Sequence, residues 1–88
     1  MNRSLRFRAA ARDDLLRLHI WIADESGSDR AVAYLERIEM ACQRLCAFLL
    51  IGRANDDLGP GLRVLGFERR IAIVYCVTDE TIDILGVY

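Results

Sequence analysis

The spacing of apolar residues changes after about Leu50, and that change limits the folds open to this chain. From Ala9 to about Leu50 apolar positions recur every three or four residues; from Leu62 to Val87 they recur every two or run together. A period of 3.6 builds one apolar stripe on a helix, and a period of two builds one apolar face on a strand. Helices followed by strands within 88 residues predict an α+β domain, a helical hairpin packed on one face of an antiparallel sheet. A chain of this size buries only about 60–65% of its unfolded surface, enough for one two-layer core. Residues 1–88 are therefore read as a single domain.

Ser4–Arg8 alternates, with Leu5 and Phe7 apolar and Arg6 and Arg8 charged, and reads as a short N-terminal edge strand with its arginines in water. Ala11, Leu15, Leu18 and Ile22 share one face of a helix over Ala9–Glu25, and Gly27 suits the left-handed position that ends it. Ser28 or Asp29 is placed to cap a second helix running to about Leu50 and burying Ala31, Leu35, Ile38, Cys42, Leu45 and Leu49. On its other side Arg30, Arg37 and Arg44 recur every seven residues and read as a solvated face. Gly52–Pro60 reads as a loop, with Pro60-Gly61 suited to the centre of a type II turn. Three strands follow: Leu62–Gly66, the almost continuously apolar and hence central Ile71–Val77, and Thr81–Val87 with Asp83 as its one charge. The expected order is β-α-α-β-β-β.

Composition closes several routes to function. The chain contains no lysine, so all 12 basic residues are arginine, and neither a lysine Schiff base nor a P-loop is available. Net charge is −1, which provides no general attraction for nucleic acid or an acidic membrane, so neither is expected as a partner. The longest apolar run, Leu45–Ile51, is far short of the ~20 residues of a membrane span. Three cysteines, Cys42, Cys46 and Cys76, do not make an even disulfide framework and fit buried thiols in a reduced cytoplasm.

Catalytic and metal chemistry find little to stand on. The one histidine, His19, lies mid-helix between Leu18 and Ile20, and no triad forms around it. Cys42 and Cys46 share a helix face, and Cys76 with His19 would complete a Cys₃His set, yet there is no Cys-x₂-Cys knuckle and Cys42 already belongs to the apolar stripe. Asp13-Asp14 suit the dipole at a helix start and Asp56-Asp57 suit a turn. No catalytic residue, metal or cofactor is expected. The basic residues say more: Arg53, Arg63, Arg69 and Arg70 fall within one 18-residue segment, and Arg63, alternating with Leu62 and Val64, is expected to leave the core-facing side. Guanidinium forks there suit phosphate or a carboxylate-rich peptide.

Three stretches carry a resemblance. They are A-A-A-R-D-D-L-L-R-L-H-I-W-I-A at 9–23; A-V-A-Y-L-E-R-I at 31–38 leading to I-G-R at 51–53; and D-D-L-G-P-G-L-R at 56–63 followed by R-I-A-I-V-Y-C-V and I-D-I-L-G-V at 70–77 and 82–87. Together they resemble the ParE branch of the RelE/ParE superfamily, toxins of type II toxin–antitoxin modules. The resemblance implies a cytoplasmic bacterial toxin, a cognate ParD-like or similar DNA-binding antitoxin, a toxin–antitoxin hetero-oligomer, and DNA gyrase as target. RelE-like relatives instead cleave messenger RNA on the ribosome, and a scaffold that only binds antitoxin is a third reading. Of the positions where RelE-like relatives place basic groups, Arg63 is basic here while Leu65 and Ala72 are not, which favours the ParE reading. Leu49 stands where the family usually has proline, allowing a longer helix, and a family tail that commonly follows the last strand would lie beyond Tyr88. If that tail contributes to toxicity, a toxin that still folds and binds antitoxin but poisons more weakly is expected.

The first helix carries more apolar residues than one stripe needs. Leu16, Ile20 and Trp21 flank the Leu15/Leu18/Ile22 face and are the candidate antitoxin contact, with Trp21 as anchor. The arginines at 53, 63, 69 and 70 would then meet an acidic antitoxin tail and raise the association rate.

Overall fold

Gly27 ends one helix and begins the next. Its φ of 98° and ψ of 156° lie in a region that is essentially glycine's alone, so the chain reverses on this single residue. Helix α1 (Ala9–Ser26) stops as Gly27 N–H bonds the Ala23 carbonyl, and α2 (Ser28–Arg44) starts as the Gly27 carbonyl accepts from Ala31 N–H. Two expectations are corrected here. Gly27 rather than Ser28 or Asp29 caps α2, with no side-chain cap bond, and its ψ is extended rather than left-handed helical.

The computed structural model describes residues 3–88. Its strands are β1 (Ser4–Phe7), β2 (Arg53–Ala54), β3 (Arg63–Phe67), β4 (Ile71–Val77) and β5 (Thr81–Val87), in one sheet of order β1-β5-β4-β3-β2. The α+β class and the N-terminal edge strand match the expectation. The sheet, however, has five strands and is mixed: β1 runs parallel to β5, and the short β2 pairs with β3 inside the segment read as a loop. Alternation marks a strand without giving its direction, and two residues are too few to show a period. Gly61, at φ 77°, follows Pro60 in the expected turn, closed by Leu62 N–H to the Gly59 carbonyl.

Both helices lie on one sheet face. Ala11, Ile38, Cys42 and Leu45 pack against Ile73, Tyr75, Ile82 and Ile84 there, each side chain fully buried. Burial of each large aliphatic residue stabilises the fold by about 1.5–3 kcal/mol. A bulge at Leu85 shifts the register, with Tyr75 opposite Ile84 and Val74 opposite Gly86, so that Val87 rather than Gly86 turns inward. Asp14 accepts the Val87 N–H at 2.9 Å and pairs with Arg17 at 2.7 Å. The Asp13-Asp14 pair therefore does not act at the helix start, since the first turn of α1 contains no acid.

α2 ends at Arg44, well before the expected Leu50. The N–H groups of Leu45, Cys46 and Ala47 bond carbonyls three residues back, tightening the last turn. The Leu49 carbonyl then accepts the Tyr75 hydroxyl at 2.8 Å rather than continuing a helix. Leu45 and Leu49 remain against the core, which is why their spacing read as helical.

Candidate partner-binding site

Between the C-terminal half of α1, the N-terminal half of α2 and the start of β4 lies an open cavity of about 630 Å³. Leu18, Ile22 and Ile71 belong to its apolar lining, with the rings of Trp21 and Tyr34. Three guanidinium groups line it, Arg30, Arg37 and Arg70, against one acid, Glu25. Heptad spacing places Arg30 and Arg37 on one side of α2; the hairpin turn leading into β4 brings Arg70.

The hairpin tip is tied to α2 beside this cavity. Arg37 reaches Glu68 through Nε at 2.9 Å and Nη2 at 3.2 Å, and its guanidinium lies 5.0 Å from the Tyr34 ring centre. Tyr34 in turn meets Phe67 edge to face at 5.7 Å. Glu68 and Arg69 both hold positive φ, 49° and 61°, as the two central residues of a type I′ turn require. For residues with a side chain that conformation costs roughly 1–2 kcal/mol each. The Arg37 hydrogen bond lowers the Glu68 pKa, and partial burial raises that of the Tyr34 phenol, leaving it a neutral hydrogen-bonding group.

The expected partner residues separate into three places. Trp21 is 61% exposed and lines the cavity with Arg70, while Arg69 sits beside them in the tip. Leu16 and Ile20 are also exposed but lie about 140° and 100° around α1 from Trp21, on its outer side. Arg53 and Arg63 are at the far end of β3, so the four arginines do not form one patch. Arg63 also contradicts the expectation for its face. It pairs opposite the fully buried Tyr75 and shares the helix-facing side with Leu65 and Phe67, while Leu62 and Val64 turn outward. Its Nε and Nη2 donate to the Gly52 and Leu50 carbonyls at 3.0 and 3.1 Å. Tyr34, Arg30 and Arg37 were not among the expected site residues; the seven-residue spacing of the arginines was the available signal.

Comparison with known proteins decides the family. The family described as the ParE toxin of type II toxin-antitoxin system, parDE, matches residues 5–88. This chain belongs to the ParE toxin family. It is 34% identical to "Toxin ParE3" of Caulobacter vibrioides over 87 residues, covering 99% of this chain and 85% of that protein. It is 40% identical to "Toxin ParE1" of Mycobacterium tuberculosis over 65 residues, 73% of this chain and 65% of that protein. Among solved structures, "Chromosomal ParDE TA system from P. aeruginosa" superposes with a TM-score of 0.84 at 23% identity, over 97% of this chain and 92% of that one, and so shares the fold.

In this ParE-family fold the positions aligned with basic groups of RelE-like relatives do not converge. Arg63 and Leu65 face the helices, whereas Ala72 faces the opposite side with Val74. The cysteines are likewise divided by the sheet. Cys42 lies in the core, with its thiol pushed up to about 12 by burial, while Cys76 lies on the outer face opposite Asp83. Among the described residues no group of three or more His, Cys, Asp or Glu is placed to hold a metal ion. No described helix is long and apolar enough to cross a membrane.

Proposed function

We propose that this ParE-family toxin inhibits DNA gyrase by protein–protein contact, without catalysis, and is restrained by a cognate antitoxin in a hetero-oligomer. The Trp21 cavity is the observation that carries the antitoxin part of this reading. It combines an exposed indole over an apolar lining with three arginines and one acid, which suits an amphipathic segment bearing carboxylates. Trp21 would be the anchor, and Arg69 and Arg70 with Arg30 and Arg37 would hold the acidic side chains. Leu16 and Ile20 would extend the contact around α1, while Arg53 and Arg63 stand at the far end of β3, away from this cavity. The family relationship and the scattering of the Arg63, Leu65 and Ala72 positions support contact over RNA cleavage.

Two assays on one purified sample test the reading. Supercoiling by gyrase should fall on addition of the chain and recover on addition of the antitoxin encoded beside it. Messenger RNA in the A site of translating ribosomes should stay intact; specific cleavage there would replace this reading with the RelE-like one.

A further inference from the structure

At the other end of α2 from the Trp21 cavity, the turn Phe48–Gly52 is held by an unusual number of bonds for a surface turn. Ile51 N–H bonds the Phe48 carbonyl at 3.2 Å. The Tyr75 hydroxyl donates to the Leu49 carbonyl at 2.8 Å and accepts the Gly52 N–H at 2.9 Å. Arg63 donates to the Gly52 and Leu50 carbonyls. Two side chains that face each other across β3 and β4 thus fix four consecutive peptide units, from the Leu49 carbonyl to the Gly52 carbonyl.

What they fix in place is apolar. Phe48, Leu50 and Ile51 are 57%, 68% and 52% exposed, three large side chains within four residues. A loose turn could fold them inward; this one is braced from below. Side chains ordered before binding lose little entropy on contact, and such anchors concentrate binding energy.

Charge identifies what would cover them. Met40–Asn55 contains no acid, Arg44 stands one helical turn before Phe48, and Arg53 stands two residues after Ile51. Among the described residues neither arginine has an ion-pair partner. A second copy docking here about a two-fold axis would bring these arginines against their own counterparts. The complementary surface is an apolar cleft with carboxylates on its rim.

We propose that the Phe48–Ile51 turn is the surface with which this toxin grips its target protein, through such an acid-rimmed apolar cleft, and that it is separate from the antitoxin site. The proposal rests on the reading that the chain acts by protein contact. Along α2 the cavity lining ends at Arg37, two helical turns or about 10 Å before Arg44 at the edge of this second surface.

The test uses Leu50→Asp in the full chain, checked for folding by circular dichroism. Growth arrest on induction without antitoxin, gyrase supercoiling, and antitoxin affinity are each compared with wild type. Arrest should weaken by about tenfold or more in the dose needed, with antitoxin affinity unchanged. Full arrest by a folded variant overturns the proposal, as does loss of antitoxin affinity, which would give the turn to the antitoxin. If wild type arrests growth without inhibiting gyrase, the gyrase reading fails while the variant's arrest still decides the turn; if wild type does not arrest growth, both fail. Wild type sedimenting with vesicles of equal parts phosphatidylcholine and phosphatidylglycerol, and Leu50→Asp failing to, would assign the turn to lipid and overturn it. Should Leu50→Asp not fold, Arg44→Glu carries the same comparison with the same outcomes.

Discussion

Tyr75 and Gly52 shape each other. The Tyr75 hydroxyl accepts the Gly52 N–H at 2.9 Å, and its ring fills the space where a Cβ on residue 52 would lie, 2.6 Å from the nearest ring atom. Gly52 is therefore required for close approach, not for an unusual backbone angle. The pair joins the centre of the sheet to the chain leaving α2, and it stands directly beneath the exposed Phe48–Ile51 turn.

Removing the hydroxyl in Tyr75→Phe leaves the Leu49 carbonyl and Gly52 N–H without this partner. Urea unfolding should show a loss of about 1–3 kcal/mol. Gly52→Ala should cost about 1–3 kcal/mol by overpacking against a ring with no room to move. Either variant unfolding at the wild-type midpoint would show that the brace contributes nothing.

Asp83 predicts the acid limb of stability. It is buried, and Arg6 donates to it through Nε at 3.1 Å and Nη2 at 2.9 Å, with Thr81 Oγ1 at 2.8 Å. The Arg6 hydrogen bonds are the main reason its pKa is held below the usual carboxylate value. A lowered folded pKa contributes stability present above the unfolded pKa and lost as pH falls through the folded one. Unfolding free energy should therefore decline below about pH 4, and Asp83→Asn should be less stable at neutral pH with a flatter acid limb. Glu68→Gln, at an exposed pair, should change that limb much less.

Trp21→Ala should stay folded, because the side chain is 61% exposed and lies outside the buried core. Antitoxin affinity should fall tenfold or more, about 1.4 kcal/mol or above, by calorimetry. A folded variant with unchanged affinity would move the anchor away from this cavity.

The thiols should separate by accessibility. Cys42 is fully buried with its pKa pushed up to about 12, chiefly by burial, so it should resist iodoacetamide at neutral pH until the protein unfolds. Mass mapping should find Cys46 and Cys76, both partly exposed, modified first.

Periodicity made the helices and the three long strands legible, because each buries one face and the burial sets the spacing. Facing was less legible at β3, where both Leu62/Val64 and Leu65/Phe67 are apolar and Arg63 sits among the inward set as a brace. The end of α2 was hidden for a related reason: Leu45 and Leu49 keep helical spacing although the backbone between them has tightened into turns. At the partner site, Trp21 stood out by its type, but the arginines that surround it come from α2 and from the turn before β4 and meet only after folding. Sequence proximity grouped Arg53 and Arg63 with Arg69 and Arg70, whereas a strand of five residues sets them apart.

The pairing of β1 with β5 places the first and last strands of the chain side by side, and Arg6 closes on Asp83 across 77 residues. During synthesis β1 must therefore wait until Thr81–Val87 has been made before it has a neighbour, whereas β4 already has β3. Contacts that distant in sequence make folding slow relative to helix formation. A nascent chain carries its two helices and the β3–β4 hairpin early, but its sheet is unfinished until β5 is made. Completion of the sheet thus waits on β5, the strand that joins β1 to β4.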